Sequence, residues 1–309
     1  MTSFGPSVFS RVKARFGRVS PRRRRDYLTF IAFIAPNFIL FGIFTFWPFI
    51  YSFSLSLTKW NMIGKARDVQ FQNYETMFND PVFWQVLKNT ILLALGVVVI
   101  KLILALFLAL LLNQKLAGRT LYRAIIFSPT FTTSVAVAMV WSWIFDPFYG
   151  VLRVPLSWLG LASPEWLSDV NWALPAIIIV SIWSGLGYDM VIFLAGLQGV
   201  PRELYEAARV DGASSWQAFR NVTFPLLSPT TFFLTITSII TAFKTFDIVS
   251  VMTGGGPLNS SNVYIHYVYQ NAFQWFKMGY ASALAVVFFI IILIITGIQF
   301  RISRRWVYY

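Results

Sequence analysis

The 309-residue chain has no cysteine and a single histidine, His266. The first absence excludes disulfides and thiolate metal sites. The second leaves little for a metal centre or for acid–base chemistry near neutral pH. Charge is scarce too: 12% of the residues are Asp, Glu, Lys or Arg, against about 25% in soluble domains. The acids are scattered, so the clustered acids or histidines of an integral-membrane enzyme are missing. No run resembles the phosphate-cradling pattern G-x-x-x-x-G-K-[ST]. The alternating ten-residue segments of a membrane β-barrel are missing as well.

What is present is oil. Hydrophobic residues make up 57% of the chain and aromatics 18%, with 31 Phe and 12 Trp. A soluble protein of this composition would expose large adhesive patches, so lipid is the expected solvent. A membrane helix needs about 20 apolar residues, and six segments qualify: Leu28–Leu57, Val86–Leu112, Leu121–Phe145, Trp172–Leu197, Phe224–Met252 and Met278–Phe300. These predict an all-α integral membrane protein with six transmembrane helices. The first is about 45 Å long at 1.5 Å per residue and contains Pro36 and Pro48, so it must tilt, kink or project beyond the bilayer. No cleavable signal peptide is expected, because the apolar stretch after Arg22–Arg25 is too long for one. Small residues recur within the spans (Ala105 and Ala109, Ala136 and Ala138, Ala281, Ala283 and Ala285) and suit close helix approach.

Lys and Arg set the orientation. With the N-terminus inside, the basic cluster before Asp26 is cytoplasmic. So are Lys115, Arg119 and Arg123, then Arg202, Arg209 and Arg220, then Arg301, Arg304 and Arg305. The outer segments carry as many acids as bases, and Lys101, Asp189, Lys244 and Asp247 lie within helices. The whole net charge of +13 therefore falls on the cytoplasmic face, which is a topology signal and not a nucleic-acid footprint. The chain divides into a basic cytoplasmic tail over 1–27, a six-helix transmembrane domain over 28–300 and a cytoplasmic tail over 301–309.

One inner loop, within residues 198–223, is unlike its surroundings. "PRELYEAARVDGASS" packs Arg202, Glu203, Glu206, Arg209 and Asp211 into a short stretch. Pro201 suits the first position of a helix. Asp211-Gly212 stops it, with Gly212 in a left-handed conformation. Ser214 and Gln217 fit a capping box that opens a second helix. Read from the residues alone, this is either a solvated connector, with Arg202 and Glu206 pairing, or a docking knob. In the second reading small residues permit close approach and charges set register.

Glu206-Ala207-Ala208, three residues, Gly212, nine residues, Val222, one residue, then Phe224-Pro225 resembles the EAA loop of ABC importer permeases. "YRAIIFSPTF", "WSWIFDPFYGVL", "LAGLQGVPRELYEAARVDGA" and "FKTFDIVSVMTGGGP" are similar to the carbohydrate-uptake, maltose-transport branch of that family. Val222 and Phe224 depart conservatively from its usual Ile-x-Leu-Pro ending. The resemblance implies a type I importer fold in a bacterial cytoplasmic (inner) membrane. It implies a second EAA-bearing permease, two ATPase subunits that dock on the loop and hold ATP and Mg, and an external solute-binding protein. Glu206 would take a charged contact with the ATPase, Ala207 and Ala208 the close packing, and Gly212 the turn. Residues 146–171 and Gly254-Gly255-Gly256-Pro257, a mobile loop on its glycine content, would lie where the binding protein docks. The solute would be a sugar or related polar compound, or a glycerol-phosphate-type one. An ion-coupled secondary transporter is the alternative class, but it leaves the EAA loop unexplained.

Charged residues inside a membrane face a cavity or a partner. Lys101 and Asp189 stand about 18 and 14 Å from the inner ends of their helices. They suit either an ion pair or, for Asp189, a solute contact. Lys244 and Asp247 are three apart and predict a local ion pair. Trp183, Tyr188, Phe243 and Phe246 are candidate sugar platforms, or simply packing. Gly185 and Gly187 either loosen the fourth helix or let a neighbour pack closely. Trp141, Trp143 and Trp158 fit an outer aromatic belt.

Overall fold

The structure is a computed structural model and describes residues 21–114 and 116–307. Most of the basic N-terminal tail, Lys115 and the last two residues of the C-terminal tail lie outside the described residues. The chain falls into two units, divided after Ser54.

The first unit is helical. Helix α1 (Pro21–Phe41) runs through a π turn, Gly42–Phe46, into α2 (Trp47–Ser56). In the π turn the Trp47 N–H reaches back to the Gly42 carbonyl. The widened turn comes just before Pro48, whose ring would otherwise crowd the carbonyl four residues earlier.

The second unit begins at Leu55. A two-residue antiparallel ladder, β1 (Thr58–Lys59) with β2 (Arg67–Asp68), pairs Thr58 with Asp68. It is a small β addition to the all-α expectation. Helix α3 (Gln72–Phe78) leads to α4 (Pro81–Asn113), which Asp80 caps by accepting the Val82 N–H at 2.9 Å. Helix α4 packs most extensively on α8 (Ala173–Gln198). Ala105 and Ala109 are fully buried with Met190, Phe193 and Leu194, so the predicted small residues do serve close helix approach.

The third predicted span is not one straight helix. Between α5 (Arg119–Phe127) and α6 (Ser134–Ile144) lie a 3₁₀ turn, Ser128–Phe131, and the extended Thr132 and Thr133. The two halves meet at 104°. Pro129 opens the 3₁₀ turn, and two β-branched threonines then take β-region angles. After α7 (Arg153–Trp158) and α8 come α9 (Arg202–Val210) and α10 (Ser215–Ala218). A π turn, Phe219–Thr223, and α11 (Phe224–Leu226) follow.

The fifth predicted span begins a turn later than expected, at Ser228, and is interrupted. Helix α12 (Ser228–Phe243) and α13 (Asp247–Met252) are separated by Lys244–Phe246. Helix α14 (Tyr264–Tyr269) and α15 (Met278–Ser303) complete the unit. Among the described residues five helical segments are long and apolar enough to cross a membrane, or six if the bent pair counts as one.

Candidate functional site

The charged loop folds largely as its residues dictate. Helix α9 starts after Pro201, which sits at the N-cap with ψ 132 and so precedes the helix, one position earlier than expected. Glu203 lies in the first turn and Arg209 in the last, each favourable to the helix dipole. The Ala213 N–H bonds the Ala208 carbonyl at 2.9 Å, and the Gly212 N–H bonds that of Arg209 at 3.1 Å. This is a Schellman closure around Gly212, whose φ is +76°. The Ser214–Gln217 capping box is complete, with bonds of 2.7 and 3.3 Å.

Helix periodicity then sorts the loop's side chains. Glu203, Glu206, Ala207 and Val210 stand at i, i+3, i+4 and i+7 and are all exposed, Val210 at 87%. Tyr205 and Ala208 occupy the opposite face and are half-buried. The Tyr205 hydroxyl meets Thr223 Oγ1 at 2.9 Å, tying α9 to the turn that leads into α12. Ala208 therefore faces inward, and the outward surface joins Ala207 to Val210. Arg202 and Glu206 do not pair, and with Asp211 they remain exposed. Trp216, stacked on Phe219 at 5.4 Å and two-thirds exposed, is a second large apolar side chain that the loop leaves uncovered. Trp216 and Val210 escaped the sequence reading, although large apolar residues in a charged loop were the available signal.

Within the membrane spans, Lys101 Nζ stands 3.0 Å from Asp189 Oδ2, and Ser238 Oγ donates to the same oxygen at 3.2 Å. Gly185, one turn before Asp189 on α8, makes room: a Cβ there would lie 3.3 Å from Lys101 Nζ. The triad joins α4, α8 and α12. Gly187 serves packing, since a Cβ would run into the Ile126 carbonyl and the Phe127 backbone just before the bend. Lys244 and Asp247 do not form the local pair predicted from their spacing. The helix is broken between them, which removes the i, i+3 geometry that the pair requires.

A cavity of about 300 Å³ lies beside the triad. Lys101, Ser181 and Ser184 line it together with Thr241 and the broken segment Lys244–Asp247. Non-helical backbone at membrane depth is tolerated where it lines such a cavity. Of the predicted aromatic platforms only Phe246 is there. Trp183 packs edge-on against Trp141 at 5.5 Å, Tyr188 lies elsewhere on α8, and Phe243 is buried near Phe288. The hydroxyls were missed because serine and threonine inside an apolar run bond their own helix. Ser181 donates to the Ile177 carbonyl at 2.8 Å, and Thr241 to that of Thr237 at 2.8 Å. Their oxygen lone pairs stay available.

The Gly254–Pro257 loop is tied down and is not the loose connector its glycines suggest. Gly254 and Gly255 take φ of +59° and +84°, and the Gly254 N–H bonds the Val249 carbonyl at 2.9 Å. Ser261 Oγ bonds both Thr253 Oγ1 and the Gly256 carbonyl. Asn89 of α4 reaches the Asn259 and Asn262 carbonyls at 2.8 and 3.0 Å. His266 Nδ1 lies 2.9 Å from Asn262 Oδ1, and burial lowers the imidazole's pKa. In the 146–171 segment, Phe148, Tyr149 and Trp158 are exposed, as are Trp143 on α6 and, less fully, Trp141.

Several helices long and apolar enough to cross a membrane, with a charged helix–turn–helix between two of them, mark a multi-span membrane protein. Residues 101–308 match the family described as binding-protein-dependent transport system inner membrane component. A probable ABC transporter permease of Pyrococcus horikoshii is 35% identical over 277 residues, covering 89% of this chain and 95% of that one. The sulfoquinovosyl glycerol transport system permease SmoG of Agrobacterium fabrum is 38% identical over 284 residues, covering 90% and 91%. A chain of a bacterial alginate ABC transporter, solved in complex with an alginate pentasaccharide-bound periplasmic protein, superposes with a TM-score of 0.81. It is 27% identical, over 93% of this chain and 98% of that one. The chain belongs to the binding-protein-dependent inner-membrane component family. It is a permease subunit of an ABC transporter, a transport component and not an enzyme. That membership removes the ion-coupled secondary transporter as a reading.

Proposed function

We propose that the chain is one half of the translocation path of an ATP-driven importer in a bacterial cytoplasmic membrane. It has six spans, both termini in the cytoplasm and the type I importer arrangement. A second EAA-bearing permease forms the other half. Two ATPase subunits, holding ATP and Mg, grip the loop within 198–223, and an external binding protein delivers a sugar or related polar solute. The observation that carries this is the exposed face Glu203–Glu206–Ala207–Val210 on a helix closed at Gly212. A short, capped helix transmits a pull or push that a loose strand would absorb. Charges on its rim set register, and the apolar side chains of Ala207 and Val210, together with the exposed Trp216 of the next helix, supply area to desolvate.

The solute reading draws on the cavity between α4, α8 and α12. Hydroxyls whose protons are committed to their own helix offer acceptors, Lys244 offers donors, and Asp247 balances it. That mixture suits a hydroxyl-rich compound of the saccharide kind, in keeping with a relative named for sulfoquinovosyl glycerol transport. Glu206→Lys tests the coupling reading. Membrane levels of the chain should stay normal, while ATP-driven uptake and copurification of the ATPase are lost. Normal uptake by the variant would refute it.

A further inference from the structure

A second cavity, larger than the first at about 550 Å³, lies far from the path. It sits at the outer end of α4 and α15, where Asp80 and Tyr280 form part of its wall. Asp80 precedes Lys101 by some six helical turns, roughly 30 Å at 1.5 Å per residue. The volume is within the usual range for small-ligand sites, about 300–1,000 Å³.

Side-chain and backbone hydrogen bonds tie the scaffold together. Asn73 Nδ2 donates to the Ser56 and Thr58 carbonyls at 2.8 and 2.9 Å, fixing the hairpin against α3. Gly279 lies so close under the Thr58 carbonyl that no side chain fits there. The Lys277 N–H bonds the Asn271 carbonyl at 2.7 Å, and Phe276 is held at φ 53°, a left-handed angle that such a side chain rarely adopts.

The charge inside this frame is one-sided. Lys59, Arg67 and Lys277 line the cavity, and among the described residues no carboxylate pairs with any of them. The one acid in the wall, Asp80, is occupied. It accepts from the Val82 N–H at 2.9 Å, from Tyr267 Oη at 2.5 Å and from Tyr280 Oη at 3.1 Å. Burial, reinforced by the bond to Asp80, pushes the Tyr267 phenol up to about 12, so it remains a donor. Lys59 and Arg67 are thus left to a ligand or to water, and Lys277 has a ring face beside it but no carboxylate. Aromatic surface adjoins them. Trp60 is fixed by Nε1 donating to the Gly64 carbonyl at 3.1 Å, and Lys277 Nζ lies 5.8 Å from the Trp275 ring centroid. Gln72 and Asn61 add side-chain amides.

We propose that this outer cavity is a peripheral binding site for an acidic saccharide, separate from the translocation path. The three cations take the carboxylate, Trp60 and Trp275 take the apolar face of a sugar ring, and the amides take its hydroxyls. A solvated basic patch needs no concave aromatic wall, and a protein-borne carboxylate alone needs no amides spread around a cavity of this size.

The test uses the full-length chain in nanodiscs of zwitterionic lipid, with digalacturonate and maltose as probes at low ionic strength. Digalacturonate should bind at least about tenfold more tightly than maltose. Lys277→Glu and, independently, Arg67→Gln should each remove most of that preference. Both residues are exposed, so folding should survive, and size-exclusion behaviour checks that it does. Equal affinities for the two probes, or no effect of either substitution, would overturn the proposal. So would tighter binding of a hexaglutamate peptide than of digalacturonate, which would reassign the cavity to a protein carboxylate. Glu206→Lys should leave digalacturonate binding intact, so failure of the coupling reading and failure of this one are distinguishable.

Discussion

Replacing Lys101 by methionine should damage the protein more than replacing Asp189 by asparagine, and the reason lies in which partner can reach water. Lys101 lines the polar cavity, so its ammonium can be hydrated from there once its partner is neutral. Asp189 is 2% exposed and lies outside the cavity wall. Without Lys101 it keeps only the Ser238 hydroxyl, a 3.2 Å bond. Stranding a buried charge in this way costs about 3–5 kcal/mol. Losing the charge-assisted bond while the lysine rehydrates costs about 1–3 kcal/mol. The double variant Lys101→Met with Asp189→Asn strands nothing and should recover most of the loss, giving a coupling energy of at least about 2 kcal/mol. The assay is retention of the monodisperse species after heating, read by fluorescence-detected size exclusion for the wild type, both single variants and the double variant. Equal damage from the two single variants, with additive loss in the double, would refute the argument. It would show that the 3.0 Å pair contributes nothing as a pair.

Gly212→Val should strain the Schellman closure by about 1–2 kcal/mol, because φ +76° crowds a Cβ. Solute-stimulated ATPase activity of the assembled transporter should fall while basal activity and expression hold, and unchanged stimulation would remove the turn from the coupling account. Gly187→Val should lower the yield of folded protein, since its side chain would enter the Ile126–Phe127 backbone. Full yield would mean that the bent pair is free to move away. Val210→Glu should weaken ATPase copurification, whereas Ala208→Ser, on the half-buried face, should not. The reverse order would show that the docking face is wrongly assigned.

Helices α4, α8 and α15 were readable to within a few residues, because each is an uninterrupted apolar run longer than the bilayer needs. The charged loop within 198–223 was readable in more detail. Pro201, Asp211-Gly212 and Ser214–Gln217 are local signals, and local hydrogen bonds answer them. The bend at Ser128–Thr133 was not legible, since an apolar window reports length and greasiness but not axis direction. The break at Lys244–Phe246 was hidden for the same reason, and the ion pair inferred there assumed a helix that stops. The Lys101–Asp189 pair could be guessed from matching depths. Its third member, Ser238, depends on how α12 packs and left no trace in spacing. The hairpin at Thr58–Asp68 is too short to carry alternation.

The most direct measurement of the central claim uses the chain's lack of cysteine. A single thiol introduced at Ser214, which lies on the exposed turn after α9, can be probed with a membrane-impermeant maleimide. The probe is applied to intact cells and to inside-out vesicles. Labelling in the vesicles alone, suppressed when the ATPase subunits are bound, is the predicted result. Labelling from the outside of intact cells would place the helix–turn–helix beyond the reach of any cytoplasmic motor and contradict the account.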